Sequence, residues 1–286
     1  MAWTGSAREG RDEMLKPLRW IVYGIGGFAM NFPILVTLIT SFKTTREISS
    51  NAGLWIEQPT FDNYLKVLTD TERFNIFLYL ANSAAAALIG TLLAIVLAFP
   101  AAYVIARSET GQKLLLPLVI NLRAVRLVVF AIPLYMMYQW LGLLDTRIGL
   151  GLILTIVNIP LALVMLVNAI SDIPIELDEA ATVDGASVFH IMIRVIRPVV
   201  RPTLVTTFIF GFITAWNEFL FGLMLTTNQA VPMTVGASFF FAASGGGVQW
   251  GMASAVMILG ALPPALLGLV MYRQLSGSMT AGAVKG

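Results

Sequence analysis

Apolar residues fall into blocks long enough to cross a bilayer, which takes roughly 20 of them in a helix. Read in order, the blocks run over about Leu18–Thr40, Ile76–Ile105, Leu114–Leu141, Gly149–Ile170, Leu204–Thr226 and Trp250–Tyr272. They predict six transmembrane helices. Asn31 and Pro33 mark an expected irregular point in the first. Residues 43–75 form a polar loop with room for a short helix around Phe61–Leu68. In the second block Asn82 and Ser83 precede Ala84–Ala87, small residues that let helices approach closely. Arg123 and Arg126 interrupt the third, and Trp216, Asn217 and Glu218 form a polar break in the fifth. The polar stretch 227–249 carries the run Ser244, Gly245, Gly246, Gly247.

Between the fourth and fifth blocks, residues 176–198 are polar and helix-prone. Pro174 suits a first helical turn with Ser171 or Asp172 as its cap, and Glu176, Asp178 and Glu179 suit the positive end of the helix dipole. Gly185 lets the chain leave that helix in a left-handed conformation. Ser187 is placed to cap a second short helix, which Pro198 is expected to limit. A helix–turn–helix between two spans makes a docking knob. Ala180 and Ala181 keep it narrow, and Glu179 gives it a charge to pair in a socket.

Composition agrees with the membrane reading. Of 286 residues, 57% are hydrophobic and 12% charged, against about 25% charged in soluble domains, and mean hydropathy is +0.81. The net charge of +2 gives no footprint for nucleic acid. There is no Cys and one His, which argues against disulfides, thiolate sites and a metal enzyme. Residues 1–19 are polar and the first apolar block lacks an obvious cleavage site, so it reads as a retained span.

Basic residues set the orientation. With the N terminus inside, Arg8, Arg11, Lys16, Arg19, Arg107, Lys113, Arg194, Arg197, Arg201, Arg273 and Lys285 fall on the cytoplasmic side. Lys43, Arg46, Lys66, Arg73 and Arg147 fall outside. Both termini are expected inside: a segment 1–17, a transmembrane domain 18–272 with a cytoplasmic loop 171–203, and a tail 273–286. The chain has no Gly-x-x-x-x-Gly-Lys-Ser/Thr phosphate loop, so nucleotide hydrolysis is expected on another chain.

Glu179, Ala180, Ala181, Gly185 and Pro198 stand at the spacing of the EAA loop that this stretch resembles, the loop of ABC importer permeases. Val195 and Arg197 replace the isoleucine and leucine at the end of that pattern. Further segments resemble carbohydrate-importer permeases of the maltose-permease type. They are Ser41–Thr44, Pro59–Tyr64, Ala215–Phe219, and the tail Thr280–Gly286, which is similar to that of the family's second permease subunit.

The resemblance implies an all-α integral membrane protein of the type I ABC importer permease fold in a prokaryotic inner or plasma membrane. Its partners would be a second permease subunit in a heterodimer, an ABC ATPase dimer, an extracytoplasmic solute-binding protein and the lipid bilayer. ATP and Mg would bind the partner ATPase, with no cofactor on this chain. Glu179, Ala180, Ala181, Asp184 and Gly185 would dock on the ATPase, and Thr280, Ala281, Gly282 and Lys285 would reach between its subunits. Ser244–Gly247 would meet the binding protein.

Trp216, Asn217 and Glu218, with Arg123 and Arg126, are candidates for the translocation path or gate, since ionisable groups in a bilayer are costly and mark function or pairing. Asn217 and Glu218 are expected to bond to neighbouring helices. Arg123 and Arg126 share a helical face. Either a carboxylate such as Glu218 neutralises them, or they attract an anionic sugar derivative, whose oxygens a guanidinium fork matches. The expected function is a non-catalytic permease subunit for a sugar, polyol or sugar derivative. An ATP-independent secondary transporter is the alternative from another class; no inverted repeat supports it.

Overall fold

The computed structural model describes residues 5–51, 53–71, 74–108, 111–124, 127–241 and 248–282. Among them every regular element is helical. The α-helices are α1 (Gly5–Ser41), α2 (Thr45–Ser50), α3 (Asp62–Thr69), α4 (Ile76–Ala106), α5 (Leu116–Ala124), α6 (Ala131–Trp140) and α7 (Arg147–Ser171). There follow α8 (Glu176–Val183), α9 (Val188–His190), α10 (Arg197–Val199), α11 (Arg201–Trp216), α12 (Leu220–Leu225), α13 (Met233–Ser238) and α14 (Trp250–Gly282).

Among the described residues, four helices are long and apolar enough to cross a membrane: Arg19–Ser41, Ile76–Ala106, Arg147–Ser171 and Trp250–Met271. A fifth arises if the pair Val188–Val199 and Arg201–Trp216, bent by 79°, counts as one span. The first, second, fourth and sixth expected blocks thus appear as helices. α1 runs unbroken past Asn31 and Pro33, where an irregularity was expected, with Asn31 Nδ2 donating to the Gly27 carbonyl at 2.8 Å. The third block is not one helix. Its described parts are a π-helical stretch Gly111–Leu115, α5, a 3-10 turn Leu127–Phe130 and α6. The fifth ends early, at Trp216, because Asn217 and Glu218 break it.

The chain divides into two compact units, residues up to Thr69 with Phe240–Leu259, and Asp70–Phe239 with the residues from Gly260 onward. In the first, the segments Ser41–Thr44 and Pro59–Tyr64 clasp one another. Thr60 N donates to the Phe42 carbonyl at 2.8 Å. Buried Asn63 donates to the Ser41 and Lys43 carbonyls, both at 2.9 Å. Phe42 lies against Phe61 and Tyr64. Buried Lys43 and Glu47 bond to backbone of the following loop, so neither charge is left uncompensated.

The second unit is built on α4 and α7. Lipid tails are as apolar as leucine, so helices in a bilayer adhere by close packing rather than by escape from water. The sequence provides for that: Ala86, Gly90, Ala94, Ala98 and Ala102 recur every fourth residue and are all buried on one face of α4. The notches are reciprocal. A Cβ on Gly90 would sit 2.6 Å from Leu154 Cβ, and one on Gly151 would sit 2.5 Å from an Ile89 methyl carbon. α11 closes the layer, and Asn158 of α7 donates to the Gly211 carbonyl of α11 at 3.1 Å and approaches Thr91 Oγ1 of α4 at 3.4 Å.

Candidate functional site

The loop between α7 and α11 folds as a helix–turn–helix, with corrections at both ends. Ser171 belongs to α7, and α8 begins after Ile175 without a side-chain cap; the expected cap at Ser171 or Asp172 does not form. Nor does Pro198 stop the second helix. It sits in the first turn of α10, which follows a π-helical stretch Ile191–Ile196, and the bend falls instead after Val199, where Val200 and Pro202 start α11. A proline is tolerated at a helix start because its missing N–H has no intrahelical partner there. Ser187 does cap the second helix, its Oγ accepting from His190 N at 3.4 Å.

The end of α8 follows from one residue. Gly185 has φ +83°, a left-handed conformation that most side chains resist. It lets Gly185 N bond to the Thr182 carbonyl at 2.9 Å and Ala186 N to the Ala181 carbonyl at 3.0 Å. Those two bonds are the Schellman termination. A Cβ at Gly185 would meet nothing within 4 Å, so the requirement is conformational and not steric within the chain.

α8 is two-sided. Asp178 and, three residues on, Ala181 turn inward, and Ala181 packs on the cluster formed by α4, α7 and Ile191. Glu179, Ala180, Asp184 and Val183, which is 88% exposed, point away from it, as does Phe189 at 70%. His190 is exposed too. The outward face thus presents an acid ringed by small and apolar exposed groups.

Asp178 was read only as a dipole-favouring acid, and the structure gives it more. Its Oδ2 accepts from Tyr103 Oη at 2.9 Å and Arg107 Nε at 2.8 Å, and its Oδ1 accepts from Arg107 Nη2 at 3.1 Å. Arg107 Nη1 also reaches the Ile173 carbonyl at 3.0 Å. The pair is largely shielded, with 14% and 10% of the two side chains exposed. Removing one partner of a buried pair costs about 3–5 kcal/mol because the other charge is left uncompensated. The available signal was Tyr103 and Arg107, one helical turn apart where a span ends.

At the other end of α4, fully buried Asn82 donates to the Gln229 and Val231 carbonyls, both at 2.9 Å, and accepts from Arg147 Nε at 2.7 Å. Ser83 Oγ accepts from Met233 N at 2.7 Å. Asp145, at φ +54°, accepts from the backbone N–H groups of Thr227, Asn228, Gln229 and Ala230. Burial opposes its ionisation, but those N–H donors outweigh it and lower its pKa from 3.8 to about 2. A carboxylate in a nest of backbone amides is a fixed anchor. Nothing in the hydropathy pattern pointed to it.

The remaining candidates are placed as follows. Trp216 is buried, stacks on Phe212 at 5.6 Å and donates Nε1–H to the Gly260 carbonyl at 3.0 Å. Asn217 is exposed and bonds back to the Ile213 carbonyl of its own helix, not to a neighbour. Glu218 Oε1 caps α12 by accepting from Leu220 N at 2.9 Å, and its carbonyl accepts from Thr234 Oγ1 at 3.0 Å. Thr280, Ala281 and Gly282 end α14, and Arg123 lies in α5, with side chains outside the described set. Arg126, Ser244–Gly247 and Lys285 lie outside the described residues.

Residues 90–280 match the family model described as binding-protein-dependent transport system inner membrane component. The chain is 32% identical over 277 residues to sulfoquinovosyl glycerol transport system permease protein SmoH of Agrobacterium fabrum, covering 95% of this chain and 94% of that one. It is 30% identical over 279 residues to trehalose/maltose transport system permease protein MalG of Thermococcus litoralis, covering 96% and 99%. In structure it resembles a chain of a bacterial ABC transporter involved in import of the acidic polysaccharide alginate. There the TM-score is 0.76 at 18% identity, over 92% of this chain and 97% of that one.

Proposed function

Because this chain belongs to the family of binding-protein-dependent transport system inner membrane components, among the carbohydrate ABC importer permeases, we propose a specific division of labour for it. It is one permease subunit of a heterodimer, with six spans and both termini cytoplasmic. An ABC ATPase dimer drives it from the cytoplasm, and a solute-binding protein delivers a sugar, polyol or sugar derivative from outside. The observation that carries this reading is α8, which presents Glu179, Ala180 and Val183 outward and is terminated by Gly185 at φ +83°. That surface docks in the ATPase, where Glu179 pairs with a basic side chain. ATP and Mg are held by the ATPase, and the tail Thr280–Lys285 extends toward its dimer.

α11 supplies the candidate path. Thr206, Phe210, Ile213 and Asn217 recur at spacings of three and four, so they share one face. They mix hydroxyl, aromatic and amide groups, which suits a sugar. A second reading, an anionic sugar derivative, rests on Arg123 and Arg126 in an otherwise apolar stretch.

The test is co-purification of the tagged chain from its native membrane, followed by reconstitution. The importer reading expects a second permease and an ATPase in the complex and uptake that requires ATP and binding protein. Glu179→Lys should abolish uptake while the chain still reaches the membrane. Transport by the chain alone without ATP would overturn the reading. A ligand screen of the binding protein then separates neutral from anionic solutes.

A further inference from the structure

We infer that α4 is a strut that ties the coupling helix to the external loop 227–233, with Asp178 and Asn82 as its two attachment points. This rests on the importer reading. α4 has 31 residues, or roughly 45 Å at about 1.5 Å per residue. At its cytoplasmic end, Tyr103 and Arg107 hold Asp178 of α8. At its other end Asn82 and Ser83 hold Gln229, Val231 and Met233 by side chain to backbone. In between, the small-residue face of α4 is locked on α7, with Gly90 and Gly151 as notches. A displacement of α8 therefore has a bonded route to the outer loop that needs no flexible joint.

At the inner end the polar contacts of Asp178 act beside the packing of Ala181 on the α4–α7 cluster. Two clefts flank this end: one of about 440 Å³ lined by Arg107, Ser108, Asp172 and Pro174, the other of about 410 Å³ lined by Tyr103, Arg107, Asp178, Glu179 and Val183. With open space on both sides, the side-chain hydrogen bonds from α4 to α8 converge on the Asp178 carboxylate. Asp178 is thus a positioning residue: it does not face a docking partner, as adjacent Glu179 does, but fixes how α8 moves with the span.

The test uses the purified complex with its own ATPase and hydrogen–deuterium exchange on 225–233, with and without ATP, Mg and vanadate. In wild type, nucleotide trapping should change exchange in that loop severalfold. In Asp178→Asn the change should vanish although the same amount of nucleotide is trapped. Asp172→Asn removes an exposed carboxylate from the same segment and should behave as wild type. Asp178→Glu and Tyr103→Phe keep the arginine pair and should give intermediate changes, which guards against a variant that fails to assemble. A full nucleotide-dependent change in Asp178→Asn, or none at 225–233 in wild type, overturns the strut. Wild-type complex that traps no nucleotide would instead overturn the importer reading.

Discussion

The sharpest consequence of the geometry at the end of α8 is a substitution series at Gly185. Its φ of +83° lies where a side chain costs about 1–2 kcal/mol for an ordinary L-residue, and more for a β-branched one. Replacing glycine also restrains the unfolded chain, which returns about 0.4–1 kcal/mol. Gly185→Ala should therefore weaken the α8 terminus by a net ~1 kcal/mol, about fivefold in the population of the wound helix. Gly185→Val should cost ~2 kcal/mol or more, and Gly185→Asn the least, since asparagine tolerates the left-handed region.

The order separates two causes. Conformational strain predicts Asn best, then Ala, then Val. A tight socket on a partner predicts Ala best, because volume then decides, and the chain itself leaves the Cβ position open. The assay is recovery of ATPase with the tagged permease, alongside exchange of the Ala186 amide, which the termination protects through the Ala181 carbonyl. If Ala outperforms Asn in both, or if Val matches glycine, the reasoning from φ is wrong.

Three further outcomes are expected. Asp145 has its pKa lowered from 3.8 to about 2, so its contribution to holding loop 227–230 is complete above the higher value and disappears as pH falls through the lower one. Protease resistance of that loop should differ between wild type and Asp145→Asn at neutral pH and converge below about pH 2. Gly90→Val places carbon within 2.6 Å of Leu154 Cβ, and overpacking costs about 1–3 kcal/mol. The melting temperature in detergent should drop, and Leu154→Ala, which keeps the clashing Cβ, should not restore it. Deleting Thr280–Gly286 removes no expected span. It should lower complex yield or alter basal ATPase, and equal values would make the tail a solvated end.

The apolar blocks were legible where a span is one continuous helix, because length and hydropathy are all such a helix needs. α1, α4, α7 and α14 lie close to their expected places. The fifth block differs since a polar group there competes for backbone. Glu218 takes the Leu220 and Phe221 amides, and that ends one helix and starts another. The end of α8 was legible through Gly185, whose left-handed conformation glycine adopts most readily. Asp178 and Asp145 were not, because their partners lie 71 to 75 and 82 to 85 residues away and neither pairing leaves a local spacing.

The Trp216-Asn217-Glu218 break is better understood as three separate assignments than as one polar site. Trp216 turns into the protein and spends its only donor on the Gly260 carbonyl. Glu218 spends one oxygen on capping α12, so replacing it shortens a helix before it alters any charge. Asn217 alone is exposed, and its bond to Ile213 uses one amide hydrogen, leaving the carbonyl oxygen and the second N–H available for other contacts. Changes at Trp216 and Glu218 should therefore appear first in stability, whereas a change at Asn217 has nothing structural to lose beyond one local bond. Of the three, it is the residue at which the proposed path can be tested by substitution with least cost to the fold.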